Sequence, residues 1–159
     1  MPFRTGAYTL REATVGDVQA VAQHRVAMFR DMGVLPEAEA DALAASSAAF
    51  LARAIPSGDY RGWVAERDGE VIAGAGVVLR PLLPRPGHLD GGVEAYVLNV
   101  YTEPAHRRRG IARALMEAVL TWCRSEQVAR VTLHASDEGR PLYLTLGFAG
   151  TNEMLCDLQ

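Results

Sequence analysis

The sequence predicts one mixed α/β domain, a sheet carrying helices on both faces. Four observations lead there. The chain has 159 residues, the size of one ordinary domain. No repeat, low-complexity run or linker-like break interrupts it, so residues 1–159 read as one unit. Its hydrophobic periodicity switches between 2 and 3.6 to give the order β-α-α-β-β-β-α-β-α-β. Finally, the strand–helix–strand unit from Val93–Thr102 to Ala129–Ala135 implies a parallel pair with a right-handed crossover.

Each element has its own signals. Tyr8–Arg11 alternates and reads as an edge strand. Thr14 suits an N-cap and Asp17 the positive end of a helix over residues 15–30. Val18, Val21, Ala22, Arg25 and Phe29 fall on one face of it, and Gly33 stops it. Pro36 opens a second helix, with Leu43, Ser47, Phe50, Leu51 and Ala54 along one face and Pro56-Ser57-Gly58 closing it. Tyr60–Glu66 and Glu70–Leu79 are strands joined at Asp68-Gly69, a strong tight-turn signal. Residues 80–92 hold three of the eight prolines and three glycines, a loop suited to substrate contact. After the strand Val93–Thr102, a helix runs from about Arg108 to Glu126, with Ile111, Leu115, Ala118, Val119 and Trp122 on one face. Ala129–Ala135 is a strand, Glu138–Leu146 a short helix closed by Gly147, and Thr151–Leu158 a final strand.

Composition excludes several classes. The formal charge is −3, and all 16 basic residues are arginine. A mildly acidic chain is a poor general nucleic-acid binder. Residues 1–17 lack the apolar core of a signal peptide. The longest uncharged apolar stretch, Val71–Leu79, has nine residues, against about 20 for a membrane span. A soluble, cytoplasmic protein with no membrane partner is expected. Cys123 and Cys156 form no metal-type pair, and His24, His88, His106 and His134 lack ligand spacing, so no metal is expected. There is no Gly-x-Ser-x-Gly elbow, and Gly74-Ala75-Gly76 lacks the third glycine of a dinucleotide loop.

The sharpest segment is Val100-Tyr-Thr-Glu-Pro104-Ala-His-Arg107-Arg108-Arg109-Gly110-Ile111-Ala112. A strand ends, Pro104 turns the chain, and a helix opens in an arginine- and glycine-containing run. Unpartnered N–H groups at a helix start carry partial positive charge. Gly110 lets a ligand approach the backbone, and the arginines add fixed charge. The result is a receptor for a phosphate or pyrophosphate.

In this context the chain resembles the GNAT superfamily of acetyl-CoA-dependent N-acetyltransferases. Thr102-Glu103-Pro104 stands for the family's Val-x-Pro-like turn, and Arg107-Arg-Arg-Gly110-Ile-Ala112 for its Arg/Gln-x-x-Gly-x-Gly/Ala loop. Thr102 replaces the usual Val, and Ala112 the commoner Gly. Downstream, Tyr143-Leu-Thr-Leu146-Gly147-Phe148 resembles the family's Tyr-x-x-x-Gly-Phe signature. Upstream, Leu10-Arg11-Glu-Ala13-Thr14-x-x-Asp17 resembles its opening strand and helix cap.

The resemblance implies a twisted, mostly antiparallel sheet whose parallel fourth and fifth strands splay around the coenzyme. Val100 and Thr102 would pair with the pantetheine amides. An amide near Val100 or Tyr101 would polarise the thioester carbonyl. Arg107 and the amides of Arg108, Arg109, Gly110, Ile111, Ala112 and Arg113 would hold the pyrophosphate, and Ser136 stands where relatives carry a coenzyme-contacting Asn. Tyr143 matches the general acid that protonates the departing thiolate. For the base, period-2 alternation sets Glu94 on one face with Tyr96, Leu98, Val100 and Thr102, and Glu94 is the candidate, directly or through water. Asn99 has the opposite parity. Phe29–Gly33 and Leu82–Gly92, with Asp31 and Asp90, are candidate contacts for the acceptor. The expected activity is direct acetyl transfer to a primary amine of a small molecule or peptide in a ternary complex, with no acyl-enzyme on Cys123. The alternatives are an acetyl-CoA-binding sensor or inactive partner subunit of the same fold, and an interaction module that ignores the coenzyme. A homodimer remains open, and so does the acceptor's identity.

Overall fold

The computed structural model describes residues 3–5 and 8–159. Among them one sheet has six strands in chain order: β1 (Phe3–Thr5), β2 (Tyr8–Glu12), β3 (Tyr60–Arg67), β4 (Glu70–Pro81), β5 (Val93–Thr102) and β6 (Arg130–Leu133). Every neighbouring pair is antiparallel except β5 and β6, which are parallel. The helices are α1 (Val18–Asp31), α2 (Ala40–Ser57), α3 (Ile111–Ser125) and the short α4 (Arg140–Thr145). Tyr8–Arg11, expected at the edge, lies in β2 between β1 and β3; the edge strand is β1, which had no distinct signal in the sequence.

The two faces bury different helices. On one, Trp63, Ala65, Ala73, Ala75, Ala95 and Val97 meet Ile111, Leu115, Met116 and Val119 of α3. On the other, Tyr60 and Val64 meet Val18, Val21 and Ala22 of α1 and Leu51 and Ala54 of α2. Burial of these apolar side chains is the main force holding the layers together. None of the described helices is long and apolar enough to cross a membrane.

The start of α1 follows from its capping residues. The Gly16 amide donates to Thr14 Oγ1 at 3.2 Å, and the Thr14 amide to Asp17 Oδ2 at 2.8 Å, a reciprocal box. Arg11 grips Asp17 through both terminal nitrogens (2.8 and 2.9 Å) and reaches Glu66 at 2.9 Å, tying β2, α1 and β3 together. The first turn, Val15–Asp17, is 3₁₀, so α1 proper begins at Val18.

Four expectations are corrected. Phe50 does not join the buried face of α2; it is 47% exposed, while Ser47, Leu51 and Ala54 go in. The helix after β5 begins at Ile111, not Arg108, because Arg108 (φ 63°) and Gly110 (φ 77°) take left-handed backbone. The flanking segments are shorter than expected, β6 ending at Leu133 and α4 starting at Arg140. Thr151–Leu158 forms no strand and is exposed. Met154, Cys156 and Leu158 do alternate, but Leu155 breaks the pattern, and the segment pairs with no strand and buries none of these side chains.

Candidate active site

The centre of the site is a break in strand pairing. On β4, Gly74 faces Tyr101 and Gly76 faces Leu98, so β5 carries one more residue than its partner here. The extra residue makes a β-bulge, and Asn99 adopts φ 57°, a conformation asparagine tolerates better than most residues. The bulge inverts the parity of β5. Leu98 packs on the α1/α2 side while Val100 packs on the α3 side. The expectation that Glu94 shares a face with Val100 and Thr102 is therefore wrong beyond Leu98. Asn99 instead turns toward α1, where its Oδ1 accepts from Arg25 Nη1 at 2.6 Å and its Nδ2 donates to Tyr60 Oη at 3.4 Å.

The parallel pair also parts here. β5 and β6 are paired only from Glu94–Arg130 to Val97–Leu133. Beyond that, β5 from Leu98 to Thr102 has no strand on that side among the described residues. The Glu103 amide donates to Ile72 O at 2.9 Å on β4, so alternation turns the peptide groups of Val100 and Thr102 toward the opening. The Thr102 carbonyl is already partnered there, accepting from Arg107 Nε at 2.9 Å.

The Arg-rich loop crosses the end of this opening. After a 3₁₀ turn at Pro104–His106 the chain extends at Arg107, passes through Arg108 and Gly110, and roots in buried Ile111. A Cβ added to Gly110 would meet nothing within 4 Å, so the space beside the helix start is open. The three arginines diverge in role. Arg107 is pinned, its Nη2 2.6 Å from Asp31 Oδ2 and its guanidinium 5.5 Å from the Tyr101 ring centre. Arg108 and Arg109 are exposed and join no ion pair among the described residues, leaving their charge available. Arg113 donates to Thr145 Oγ1 at 2.6 Å and so links α3 to α4, and Ala112 is half-buried.

Ser136 opens the last helix: its Oγ accepts from the Gly139 amide at 3.1 Å and its carbonyl from the Arg140 amide at 2.9 Å. Tyr143 then packs edge-on to Phe148, centroids 5.8 Å apart, on the same cluster as Val100. Burial pushes its phenol above the ordinary tyrosine range, keeping it protonated.

Glu94 sits elsewhere. It is 7% exposed, and its carboxylate takes Arg130 Nε at 2.9 Å and lies 3.8 Å from Arg80. Six residues separate it from Val100, roughly 20 Å along a strand. Strand parity alone had joined them. Asp90 is exposed in the loop after β4, which is closed by Arg85–His88 backbone bonds of 3.1 and 2.9 Å. Cys123 is buried, and burial pushes its thiol up to about 11, which excludes it as a nucleophile at neutral pH.

Residues 20–148 match the profile of the Acetyltransferase (GNAT) family. The chain belongs to the GNAT acetyltransferase family. A GCN5-related N-acetyltransferase from Ralstonia eutropha JMP134 shares its fold with a TM-score of 0.86 and 33% identity, over 95% of this chain and 98% of that one. A predicted acetyltransferase from Clostridium acetobutylicum, solved with acetyl-CoA, gives 0.84 and 25% over 96% of each chain. A glucosamine 6-phosphate N-acetyltransferase of Trypanosoma brucei brucei is 30% identical over 91 residues, 57% of this chain, and the alignment spans only 59% of that relative.

Against this GNAT frame, two arrangements had no motif to announce them. Tyr96 Oη lies 2.5 Å from His134 Nδ1 where the strands part. Arg25 reaches the bulge from α1. The second had a signal, a charged residue within the apolar stripe Val18-Val21-Ala22-Arg25-Phe29.

Proposed function

We propose that the protein moves the acetyl group of acetyl-CoA onto an amine of a small molecule or peptide, by direct attack in a ternary complex. The juxtaposition that carries this reading is the parted β5/β6 edge beside the open Arg108–Gly110 turn at the start of α3. That site fits the coenzyme: free strand edge for an amide-bearing arm, and unpartnered amides plus two free guanidinium groups for a pyrophosphate. Bound there, acetyl-CoA supplies the activated acyl group.

The chain's own residues supply the rest. The amides from Arg108 to Arg113 and the charges of Arg108 and Arg109 hold the diphosphate. Arg107 positions the loop rather than the ligand, since Asp31 and Thr102 engage it. The Val100 amide, turned outward by the bulge, donates to the carbonyl oxygen as it gains negative charge. Tyr143 donates its retained proton to the departing thiolate, and the proton that the amine nitrogen sheds as the amide forms passes through water and restores the phenol. Glu94 takes no part, being held by Arg130 and Arg80.

The first test is thermal melting with and without acetyl-CoA. Ligand at 100 times its dissociation constant adds about 2.7 kcal/mol of stability. A rise confirms the loop and licenses an amine screen; no rise at millimolar coenzyme refutes the reading. Tyr143→Phe should then cut turnover by about 10²-fold or more with coenzyme binding retained. Unchanged turnover would remove Tyr143 from the mechanism. A chain that binds acetyl-CoA yet acetylates nothing would be the sensor of the same fold.

A further inference from the structure

Most partly buried arginines come with a carboxylate: Arg11 with Asp17 and Glu66, Arg61 with Glu12, Arg107 with Asp31. Arg85, in the loop after β4, has none, and its buried Nη1 lacks a hydrogen-bond partner among the described residues; Arg25 has none either. It sits half-buried on the sheet-facing side of α1, its guanidinium 4.7 Å over the Phe29 ring. No acidic side chain pairs with it among the described residues; its polar contact is the neutral Asn99 Oδ1 at 2.6 Å. Burial accordingly weighs against its charged form. A guanidinium drawn from water without a counterion is costly. Its fork has five N–H donors, of which the contact with Asn99 uses one.

Its place in the site gives that unspent charge a use. Asn99 is the bulge residue, fixed from beneath by Tyr60. The next residue is Val100, whose amide faces the opening where the acyl carbonyl belongs. The guanidinium is thus aimed, through Asn99, within one residue of the reacting centre, and on the α1 side, opposite the α3 side to which Val100 and Tyr143 pack. An incoming amine on that side brings its own substituents past Arg25.

We infer that Arg25 is a receptor for an anionic group of the acceptor. The substrate is then an amine bearing a carboxylate or phosphate a few bonds from its nitrogen, as in an amino acid or an amino-sugar phosphate. This rests on the acetyl-transfer reading above. It excludes polyamines and other purely cationic acceptors as the preferred class.

The test compares matched acceptors by coenzyme A release: amino acids against their carboxamides, and glucosamine 6-phosphate against glucosamine. The two pairs distinguish carboxylate from phosphate. The expected result is a kcat/KM at least tenfold higher for the charged member of one pair, collapsing toward equality in Arg25→Gln. Arg25→Lys, which keeps the charge but loses the fork, should retain part of the preference. The melting shift with acetyl-CoA should persist in both variants, showing that they fold and bind the coenzyme. Equal use of charged and neutral members, a preference unmoved by Arg25→Gln, or acetylation confined to polyamines would overturn the inference while leaving acetyl transfer standing. So would a panel with no acetylation on a protein that acetyl-CoA still stabilises. Loss of that stabilisation in the unmodified protein would instead strike the acetyl-transfer reading itself.

Discussion

Gly76 is where the packing of the site is most exposed to a single methyl group. A Cβ built there would lie 2.0 Å from Tyr60 Oη, 2.3 Å from Cζ and 2.6 Å from Cε2. Reaching ordinary contact at 3.4 Å requires the phenol to retreat by the difference, 1.4 Å. Tyr60 has nowhere to go: it is 2% exposed and clamped among Val18, Val21, Leu51 and Ala54. Overpacking of close-packed cores costs about 1–3 kcal/mol, and contact with a ring rather than a flexible tip puts Gly76→Ala at or above the upper end. At roughly 2–4 °C per kcal/mol for a domain of this size, the melting temperature should fall by about 6–12 °C. Tyr60→Phe should not rescue it, because Cζ and Cε2 still clash. Tyr60→Leu should, so the cost of Gly76→Ala measured in the Tyr60→Leu background should shrink by most of its value in a double-mutant cycle. Urea melts of the four proteins provide the readout. A Gly76→Ala cost below about 0.5 kcal/mol, or an unchanged cost in the Tyr60→Leu background, would refute the packing argument.

Three other outcomes follow from the geometry. Gly110→Asp should weaken acetyl-CoA binding by charge and bulk, while the clash-free Gly110→Ala costs the fold only about 1 kcal/mol for its left-handed backbone; titration calorimetry that finds unaltered affinity in Gly110→Asp would misplace the loop. Asp17, held below the ordinary carboxylate range chiefly by the Arg11 hydrogen bond, contributes stability that is full above pH ~4 and drains away as pH falls through its lowered folded value. Asp17→Asn should therefore cost about 1–3 kcal/mol at pH 7 and flatten the acid limb of a stability–pH profile; a parallel limb would clear Asp17 of that role. A thiol reagent should modify exposed Cys156 at once and buried Cys123 only on unfolding, and two fast thiols in the native protein would contradict the burial of α3.

The elements legible from sequence are those governed by local rules. Thr14 and Asp17 announced the start of α1 because a capping box is satisfied within four residues. The strand, loop and helix from Val93 to Ser125 were legible because Pro104 and Gly110 mark both ends of the turn. The features not legible in the sequence depend on partners distant in it. Arg107, Arg108 and Arg109 are equivalent as letters; only the fold brings Asp31, 76 residues from Arg107, against the first of them. Glu94 read as a free strand acid because its partners Arg130 and Arg80 lie on two other strands. The bulge has the widest effect. Period-2 alternation assumes an unbroken ladder, and one extra residue at Asn99 reverses every face after it. The hint was on the opposite strand, where Gly74 and Gly76 flank the shift.

The bulge also explains why one small region joins stability to the proposed chemistry. Asn99 does two things at once. Its backbone sends the Val100 amide into the gap, and its side chain anchors Arg25 on the α1 side, where the acceptor is proposed to bind. Tyr60 supports Asn99 from below, and Gly76 exists as glycine because Tyr60 fills the space its side chain would need. The Arg108–Gly110 loop proposed to hold the coenzyme, by contrast, is rooted in Ile111 and α3 on the opposite face of the sheet. Disturbing Gly76 or Tyr60 should therefore raise the acceptor's KM and lower kcat before it alters acetyl-CoA affinity, whereas changes at Gly110 should do the reverse. If Gly76→Ala weakened acetyl-CoA binding as strongly as it impaired acceptor use, the two faces would be coupled through the sheet itself, and the division of labour drawn from the bulge would fail.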